Sequence, residues 1–380
     1  MKVYLDNGAT TKTAPEVVEA MQPYFTDKYG NASSLHYFGR EAKGALDKAR
    51  EIIAKKINAS PEEIIFTSGG TESDNLAIKG TVYAHKDRGN HIITSQIEHP
   101  AVLGAYSVLE REGFKVIYIG VDKNGFVKLD QLEKAITDKT ILVSVMHANN
   151  EIGTIQPIKE IGDICRKHKV IFHTDAVQSF TKVPIDVKKI NVDLISLSSH
   201  KIHGPKGVGA LFVRKGTKLK KLADGGGHEF HLRAGTENIP GIIGFAKAIE
   251  LVSDMDLKQM TKLRDKLING LLKIPHTQVN GSKENRLVNN VNISFNYVEG
   301  ESLLMYLDDK GIAVSTGSAC SSHSLKPSHV LMALGLKAEV AHGTIRFTLS
   351  KYTTDKEIEY TIKSVKEVVE KLRRFSPLGG

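Results

Sequence analysis

From about residue 60, the chain alternates between short runs of β-branched residues and longer stretches whose apolar residues recur at helical spacing. This alternation predicts βα units around a largely parallel sheet. Helices are predicted at 71–86 and 100–112. The predicted strands of one seven-stranded sheet are 63–67, 91–94, 115–119, 141–146, 170–174, 194–197 and 208–213.

The pattern changes near Ile239. Long helical stretches run to about Lys273, short strands and helices follow, and a charged amphipathic helix is predicted over 355–374. A chain of 380 residues exceeds the size at which one hydrophobic core usually stops growing, so we expect an α/β fold of two domains. The predicted division is a large domain over 14–259 and a smaller α/β domain made of 1–13 and 260–380.

Composition and charge narrow the function classes. The chain is 41% hydrophobic and 25% charged, as is usual for globular proteins. Residues 1–6 lack the apolar core of a signal peptide, and no later run could span a bilayer, so we expect a cytoplasmic protein without membrane contact. The net charge of +9 is scattered and no recognition motif accompanies it, so no direct nucleic-acid contact is expected. A positive field suits an anionic cofactor or an acidic protein partner.

The most informative stretch runs from Ser196 to Gly209. A predicted strand ends there in hydroxyl groups, followed by His200, Lys201 and several glycines. Such a cluster suits a phosphate and an amine, and a lysine that bonds an aldehyde needs a site of low polarity at such a strand end. The alternative is that Lys201 is a solvated loop residue, as most lysines are.

A second strand end supports the first interpretation. The strand at 170–174 is followed by Asp175, 26 residues ahead of Lys201. Ligands of open α/β sheets bind at the carboxyl ends of strands, so Asp175 is placed to meet the ring nitrogen of a pyridoxal cofactor while Lys201 reaches its aldehyde. Asp175 could instead only cap a helix that begins at Ala176.

A third strand end carries Gly69 and Gly70 before a predicted helix. Free backbone N–H groups and the positive end of the helix dipole make such a turn a phosphate site. Many ordinary turns share this pattern, so it gains meaning only together with Asp175 and Lys201.

With these residues in place, the chain resembles the cysteine desulfurases of the NifS/IscS group, within the fold-type I pyridoxal-phosphate enzymes. The spacing after Cys320 resembles that of the group I subclass, and the resemblance runs from Tyr4 to about Phe375. The motifs that carry it are 4–11, 67–75, Glu98-His99, 147–153, 199–201, 233–238, 317–320 and 345–347.

The resemblance assigns roles to individual residues. Lys201 would bond the cofactor and then act on the substrate, and His99 would stack on the ring and move protons at the substrate sulfur. Asn149 and Arg346 would receive the substrate carboxylate. The implied cofactor contacts are Gly70, Thr71, His99, Asn149, Asp175, Gln178, Ser198, His200, Lys201 and, from the neighbouring subunit of a homodimer, Thr236.

The two cysteines lie in different surroundings. Cys165 recurs with isoleucines at helical spacing, which predicts a buried small hydrophobe. Cys320 lies among small polar residues, which predicts an exposed loop, with an idle surface thiol as the alternative. By the resemblance, Cys320 takes sulfur from L-cysteine as a persulfide and leaves L-alanine. The resemblance also implies sulfur supply to an iron–sulfur scaffold protein of the IscU/NifU type, with Cys320 as a ligand of a transient [2Fe–2S] cluster.

Some positions depart from the family pattern. Gly8 stands where many relatives have another residue, and Phe230-His231 stand in place of arginine and glycine. The short sequence after Ser376 would weaken docking of the scaffold or move it to another surface. Two other functions stay open: another fold-type I enzyme, such as an aminotransferase or a selenocysteine lyase, and a sulfur-scaffold subunit without catalysis.

Overall fold

The computed structural model describes residues 1–316 and 327–375, so the prediction for Cys320 lies outside the described residues. The strands are β1 (Val3–Tyr4), β2 (Ile64–Thr67), β3 (His91–Ser95), β4 (Lys115–Ile119), β5 (Thr140–Ser144), β6 (Ile171–Asp175), β7 (Leu194–Ser198), β8 (Gly209–Val213), β9 (Thr277–Val279), β10 (Asn290–Phe295), β11 (Ile312–Ala313), β12 (Ser315–Thr316) and β13 (Thr344–Thr348).

The helices lie between these strands and after them. They are α1 (Pro15–Met21), α2 (Pro23–Thr26), α3 (Tyr37–Lys56), α4 (Gly70–His85), α5 (Pro100–Arg111), α6 (Leu129–Ala135), α7 (Ile158–Lys167), α8 (Ile239–Glu250), α9 (Asp254–Leu271), α10 (Gly300–Asp309), α11 (His329–Ala333), α12 (Ala338–His342) and α13 (Asp355–Phe375). Within the described part of the chain, none of them is long and apolar enough to cross a membrane.

The central sheet has seven strands in the order β2-β8-β7-β6-β5-β3-β4, which confirms the predicted sheet. The strands from β7 to β4 are parallel, whereas β8 is antiparallel to both β7 and β2. The sequence pattern did not reveal this reversal. Its cause is the short connection over 199–208, since a parallel crossover needs a dozen residues or more.

The predicted helical stretch from Ile239 to Lys273 is interrupted. Helix α8 ends at Glu250, and α9 begins after Ser253, whose hydroxyl accepts a hydrogen bond from the Asp256 amide at 3.1 Å. A serine in this position satisfies one of the free N–H groups of the helix start. Both helices were therefore expected, but their boundary was not.

The apolar residues form two main clusters. The first packs helices against the central sheet, and the second lies around the antiparallel sheet β12-β13-β10-β9 and the parallel pair β1-β11. Helices α9 and α13 cover the second cluster, and Val3 and Leu5 join it from the N-terminus. Val330 and Leu331 of α11 were predicted in the smaller domain but pack into the first cluster. The clusters therefore do not divide cleanly at residue 260, and that domain boundary stays a prediction.

Candidate active site

A cavity of about 260 Å³ opens at the carboxyl edge of the central sheet. Side chains that follow β3, β6 and β7 meet there, as expected where parallel strands end together. The N-terminal segment and β13 close the cavity from the opposite side. Among the residues predicted for the site, those that line it are Gly70, Thr71, His99, Asp175, Gln178, Ser198, His200, Lys201 and Arg346.

Lys201 lies in the 3-10 turn over 199–201 that follows β7. Its Nζ donates hydrogen bonds to the carbonyl oxygens of Gly8 at 2.6 Å and Ala9 at 2.8 Å. The side chain is half-buried, so these two carbonyls hold the amine at the cavity wall. The turn thus aims the lysine across the cavity toward the N-terminal segment.

The N-terminal segment, residues 6–11, contacts the site at several points. Gln178 Nε2 donates to the Gly8 carbonyl at 3.0 Å, and the Thr10 hydroxyl lies 3.1 Å from His200 Nδ1. The Thr11 amide and hydroxyl both donate to the His200 carbonyl, at 3.0 and 2.8 Å. The sequence motif marked this segment but gave no sign that it orients the site residues.

The titratable groups of the cavity have unusual protonation behaviour. Burial raises the pKa of Asp175 to about 6, although its oxygen accepts the Val177 amide at 2.8 Å and Lys201 lies nearby. Burial, and then the positive charge of Lys201, lower the pKa of His99 to about 4. His99 Nδ1 accepts from the Ala101 amide at 3.1 Å at the start of α5, so its hydrogen lies on Nε2. His99 is therefore a neutral imidazole with a defined tautomer.

The start of α4 forms the end of the cavity that suits an anion. Gly69 has a φ of +153°, which favours glycine, and a Cβ on Gly70 would lie 2.7 Å from Val177 Cγ2. Ser198 Oγ is buried without a hydrogen-bond partner among the described residues. An unpaired buried hydroxyl beside a helix start fits a bound acceptor such as a phosphate.

Arg346 enters the cavity from β13. One guanidinium nitrogen pairs with Asp6 Oδ1 at 3.0 Å and another donates to the Asn150 carbonyl at 3.1 Å. Its Nε is buried and has no partner within residues 1–316 and 327–375. Asp6 lies in the sequence motif at 4–11, but the motif predicted no contact for it.

Asn149 does not reach the cavity. Its Nδ2 donates to the Ile97 carbonyl at 2.8 Å, and its Oδ1 accepts the amides of Glu151 and Ile152, both at 2.9 Å. The neighbouring Asn150 lines the cavity instead. The sequence alone does not distinguish the two adjacent asparagines. In the structure, the side chain of Asn149 is used in an Asx turn ahead of Gly153, which leaves Asn150 to face the cavity.

Thr236 is exposed and lies outside the cavity wall of this chain. The preceding loop is held by Glu229, which forms a buried ion pair with Arg50 at 2.7 Å and accepts the Phe66 amide at 2.7 Å. Glu229, Phe230 and His231 all have positive φ, between 45° and 65°. The unusual pair Phe230-His231 thus lies in a strained turn that a buried ion pair stabilises.

Cys165 is buried in the first cluster, which confirms its prediction as a core residue. Burial raises the pKa of its thiol far above the ordinary value, so it stays protonated and unreactive.

Known proteins resemble this chain in sequence and in overall fold. The model of the aminotransferase class-V family matches residues 3–361. A cysteine desulfurase IscS from Methanosarcina thermophila is 55% identical over 99% of this chain and 94% of the relative. One from Dictyoglomus turgidum is 54% identical over 99% and 96%. Two solved structures are also similar. A NifS-like protein has a TM-score of 0.92 at 42% identity and covers 97% of this chain and 100% of its own. SspA in complex with cysteine has a TM-score of 0.84 at 40% identity, with 93% and 100% covered.

Proposed function

The chain belongs to the class-V aminotransferase family, among its cysteine desulfurases, and from that premise we propose that it converts L-cysteine to L-alanine and receives the sulfur as a persulfide on Cys320. One observation carries the proposal. A lysine amine, a buried carboxyl group and a buried hydroxyl that lacks a partner in the described part of the chain face one cavity, at Lys201, Asp175 and Ser198.

These residues fit pyridoxal 5′-phosphate. That cofactor needs an amine for its aldehyde, an acid at its ring nitrogen and donors for its phosphate. Lys201 and Asp175 match the first two needs, and Ser198, Thr71 and the start of α4 match the third. When bound, the cofactor supplies an electron sink that lets bonds at the substrate Cα break. Gln178 and His200 complete its contacts, with Thr236 contributed by a second subunit.

The substrate carboxylate is assigned to Arg346. Its planar guanidinium can bind a carboxylate through two parallel hydrogen bonds, and Asp6 holds its orientation. We assign the contact expected for Asn149 to Asn150, because only Asn150 faces the cavity. Lys201 Nζ then removes the proton from the substrate Cα, and His99 Nε2 moves a proton at the substrate sulfur.

The sulfur step needs no outside oxidant. The Cys320 thiolate attacks the substrate sulfur, so that an S–S bond forms and the substrate C–S bond breaks. The electron pair of the broken bond stays on the substrate carbon, which takes a proton. L-cysteine and one thiol therefore give L-alanine and one persulfide.

Replacement of Cys320 by serine tests this function. We expect alanine formation from L-cysteine to stop, and the sulfur adduct on Cys320 in the wild-type mass spectrum to be absent. C165A is the matched control and should keep both, because Cys165 is buried away from the cavity. Undiminished alanine formation by C320S would indicate another fold-type I reaction. A purified protein that stays colourless with the cofactor would indicate a non-catalytic subunit.

The sulfur is proposed to supply iron–sulfur cluster assembly through a scaffold protein of the IscU/NifU type. Two relatives named cysteine desulfurase IscS support this destination. Cys320 would donate a ligand to a transient [2Fe–2S] cluster at that contact. Transfer of labelled sulfur from L-[³⁵S]cysteine to a purified scaffold, lost in C320S, tests this sulfur route.

The cytoplasm is the proposed location of the protein, because a reducing compartment keeps a working thiol free.

A homodimer is proposed because of the position of Thr236. The resemblance assigns Thr236 a contact with the cofactor phosphate, but in the single chain it is exposed and lies outside the cavity, so it would reach the cavity of a second subunit. Exposed aromatic side chains at Tyr29, Tyr37 and Phe38 offer apolar surface for association. One chain has a mass of 41.7 kDa, and sedimentation should give twice that mass. T236A should then weaken cofactor binding without changing that mass.

A further inference from the structure

A second carboxyl group lies beside Asp175 in the cavity wall. Asp74, in the first turns of α4, is only 1% exposed and lines the same cavity. Its Oδ1 has no hydrogen-bond partner among the described residues. No motif role was assigned to it.

Among the described residues, the only basic group within 4 Å of the Asp74 carboxyl group is the His173 ring. His173, on β6 with Asp175, has its Nε2 3.7 Å from Asp74 Oδ1, which is too long for a hydrogen bond. The His173 nitrogens instead contact the hydroxyls of Ser144 at 2.8 Å and Ser196 at 3.0 Å. Burial lowers the pKa of His173 to about 3, so it is neutral. A third buried carboxyl group, Glu98, also repels charge on Asp74.

Two adjacent carboxyl groups away from water do not both ionise. Asp175 accepts the Val177 amide at 2.8 Å and lies near Lys201, and both interactions favour its charged form. Asp74 is more buried and faces the charge of Asp175, and both raise its pKa well above the ordinary value, although the Ser196 hydroxyl acts in the opposite direction. The proton of the pair therefore lies on Asp74.

We propose that Asp74 is a positioning residue of the cofactor site, which carries the proton of a carboxyl pair so that its single negative charge lies on Asp175. This inference rests on the proposed function, because it places a ring nitrogen opposite Asp175. A charged Asp175 keeps that nitrogen protonated, and a neutral Asp74 adds no second charge that would compete for the proton.

The test combines infrared spectroscopy with a pH titration of bound cofactor. At pH 9 the wild-type protein should show the stretch of a protonated buried carboxyl group, and D74N should lack it. E72Q is the matched control on the same helix and should keep the band. The absorbance of bound pyridoxal phosphate should titrate in D74N within about 0.3 pH units of wild type, because an amide replaces a neutral acid.

Two results would overturn the proposal: a D74N spectrum that keeps the band, or a D74N absorbance pKa lowered by about one unit or more, as expected for loss of a negative charge. If D74N does not fold, the infrared spectrum of E98Q at pH 9 tests instead whether the band comes from a carboxyl group other than Glu98. At pH 9 the pKa of Asp175, about 6, and that of Glu151, about 7, are exceeded, so the band must persist in E98Q. The infrared measurement needs neither cofactor nor turnover, so its failure is distinct from failure of the desulfurase assignment.

Discussion

Two polar regions of the molecule are equally buried but differ in how their hydrogen bonds are satisfied. At the cavity, buried atoms of Asp74, Ser198 and Arg346 lack partners among the described residues. Near β10, Asn280 Nδ2 donates to Asn292 Oδ1 at 2.8 Å and to Ser294 Oγ at 2.7 Å. Burial of polar groups therefore does not identify a binding site. Single unpaired atoms also occur on either side of β10, at Asn289 and Asn296, so what marks the site is that three such groups line one cavity, where a ligand can provide their partners.

The largest effect should come from removal of the Lys201 amine at the cavity. Lys201→Ala should abolish the yellow colour with pyridoxal phosphate and reduce alanine formation by at least about a thousandfold, because the nucleophile and base are lost together. Absorbance and a coupled alanine assay measure this. The exposed Lys215→Ala serves as control and should behave like wild type. Retained colour in K201A would contradict the assignment.

Arg346→Lys tests the carboxylate contact. A lysine keeps the charge but cannot form two parallel hydrogen bonds, so KM for L-cysteine should rise about tenfold to a hundredfold. Initial rates over a range of cysteine concentrations measure it. Cofactor affinity from an absorbance titration should stay the same, and an unchanged KM would show that the carboxylate binds elsewhere.

A pair of alanine variants separates the two regions directly. S198A should raise the Kd for pyridoxal phosphate about tenfold, while the cofactor-free protein keeps its unfolding free energy, since the Ser198 hydroxyl bonds none of residues 1–316 and 327–375. N292A should lower the unfolding free energy by about 2 kcal/mol and leave that Kd unchanged, because Asn280 Nδ2 loses one of its two buried acceptors. Denaturant titrations measure the unfolding free energy, and cofactor titrations measure the Kd. A loss of stability in S198A together with a raised Kd in N292A would contradict the difference between the two regions.

The smallest effect concerns pH. Burial lowers the pKa of His147 from 6.5 to about 4, so it contributes stability above pH 6.5 that is lost as the pH falls toward 4. Burial raises the pKa of Glu98 from 4.5 to about 8, so stability is lost as the pH rises through that range. H147Q and E98Q should change the slope of unfolding free energy against pH in opposite directions, each by at most about 1.4 kcal/mol per unit. Equal slopes in both variants would contradict this.

The sequence predicted the central sheet well because its strands are short apolar runs, such as Lys115–Ile119, whose bounds matched without change. It could not predict the reversal of β8 or the cap at Ser253, which depend on connection length and one side-chain bond. Strand ends and motifs located Lys201, Asp175 and His99 at one cavity. Asp74 and Asp6 were missed because their importance comes from residues far away in the chain, which local pattern does not record.

The contacts of the N-terminal segment also restrict when the enzyme can mature. The Asn7 amide and the Gly8 amide bind Thr348, and Asp6 pairs with Arg346. The N-terminal segment therefore waits for β13, which is synthesised much later, before the amine of Lys201 has its carbonyl partners. Cofactor loading is thus expected only after β13 has been synthesised, so a nascent chain stalled before residue 344 should expose an incomplete cavity to chaperones.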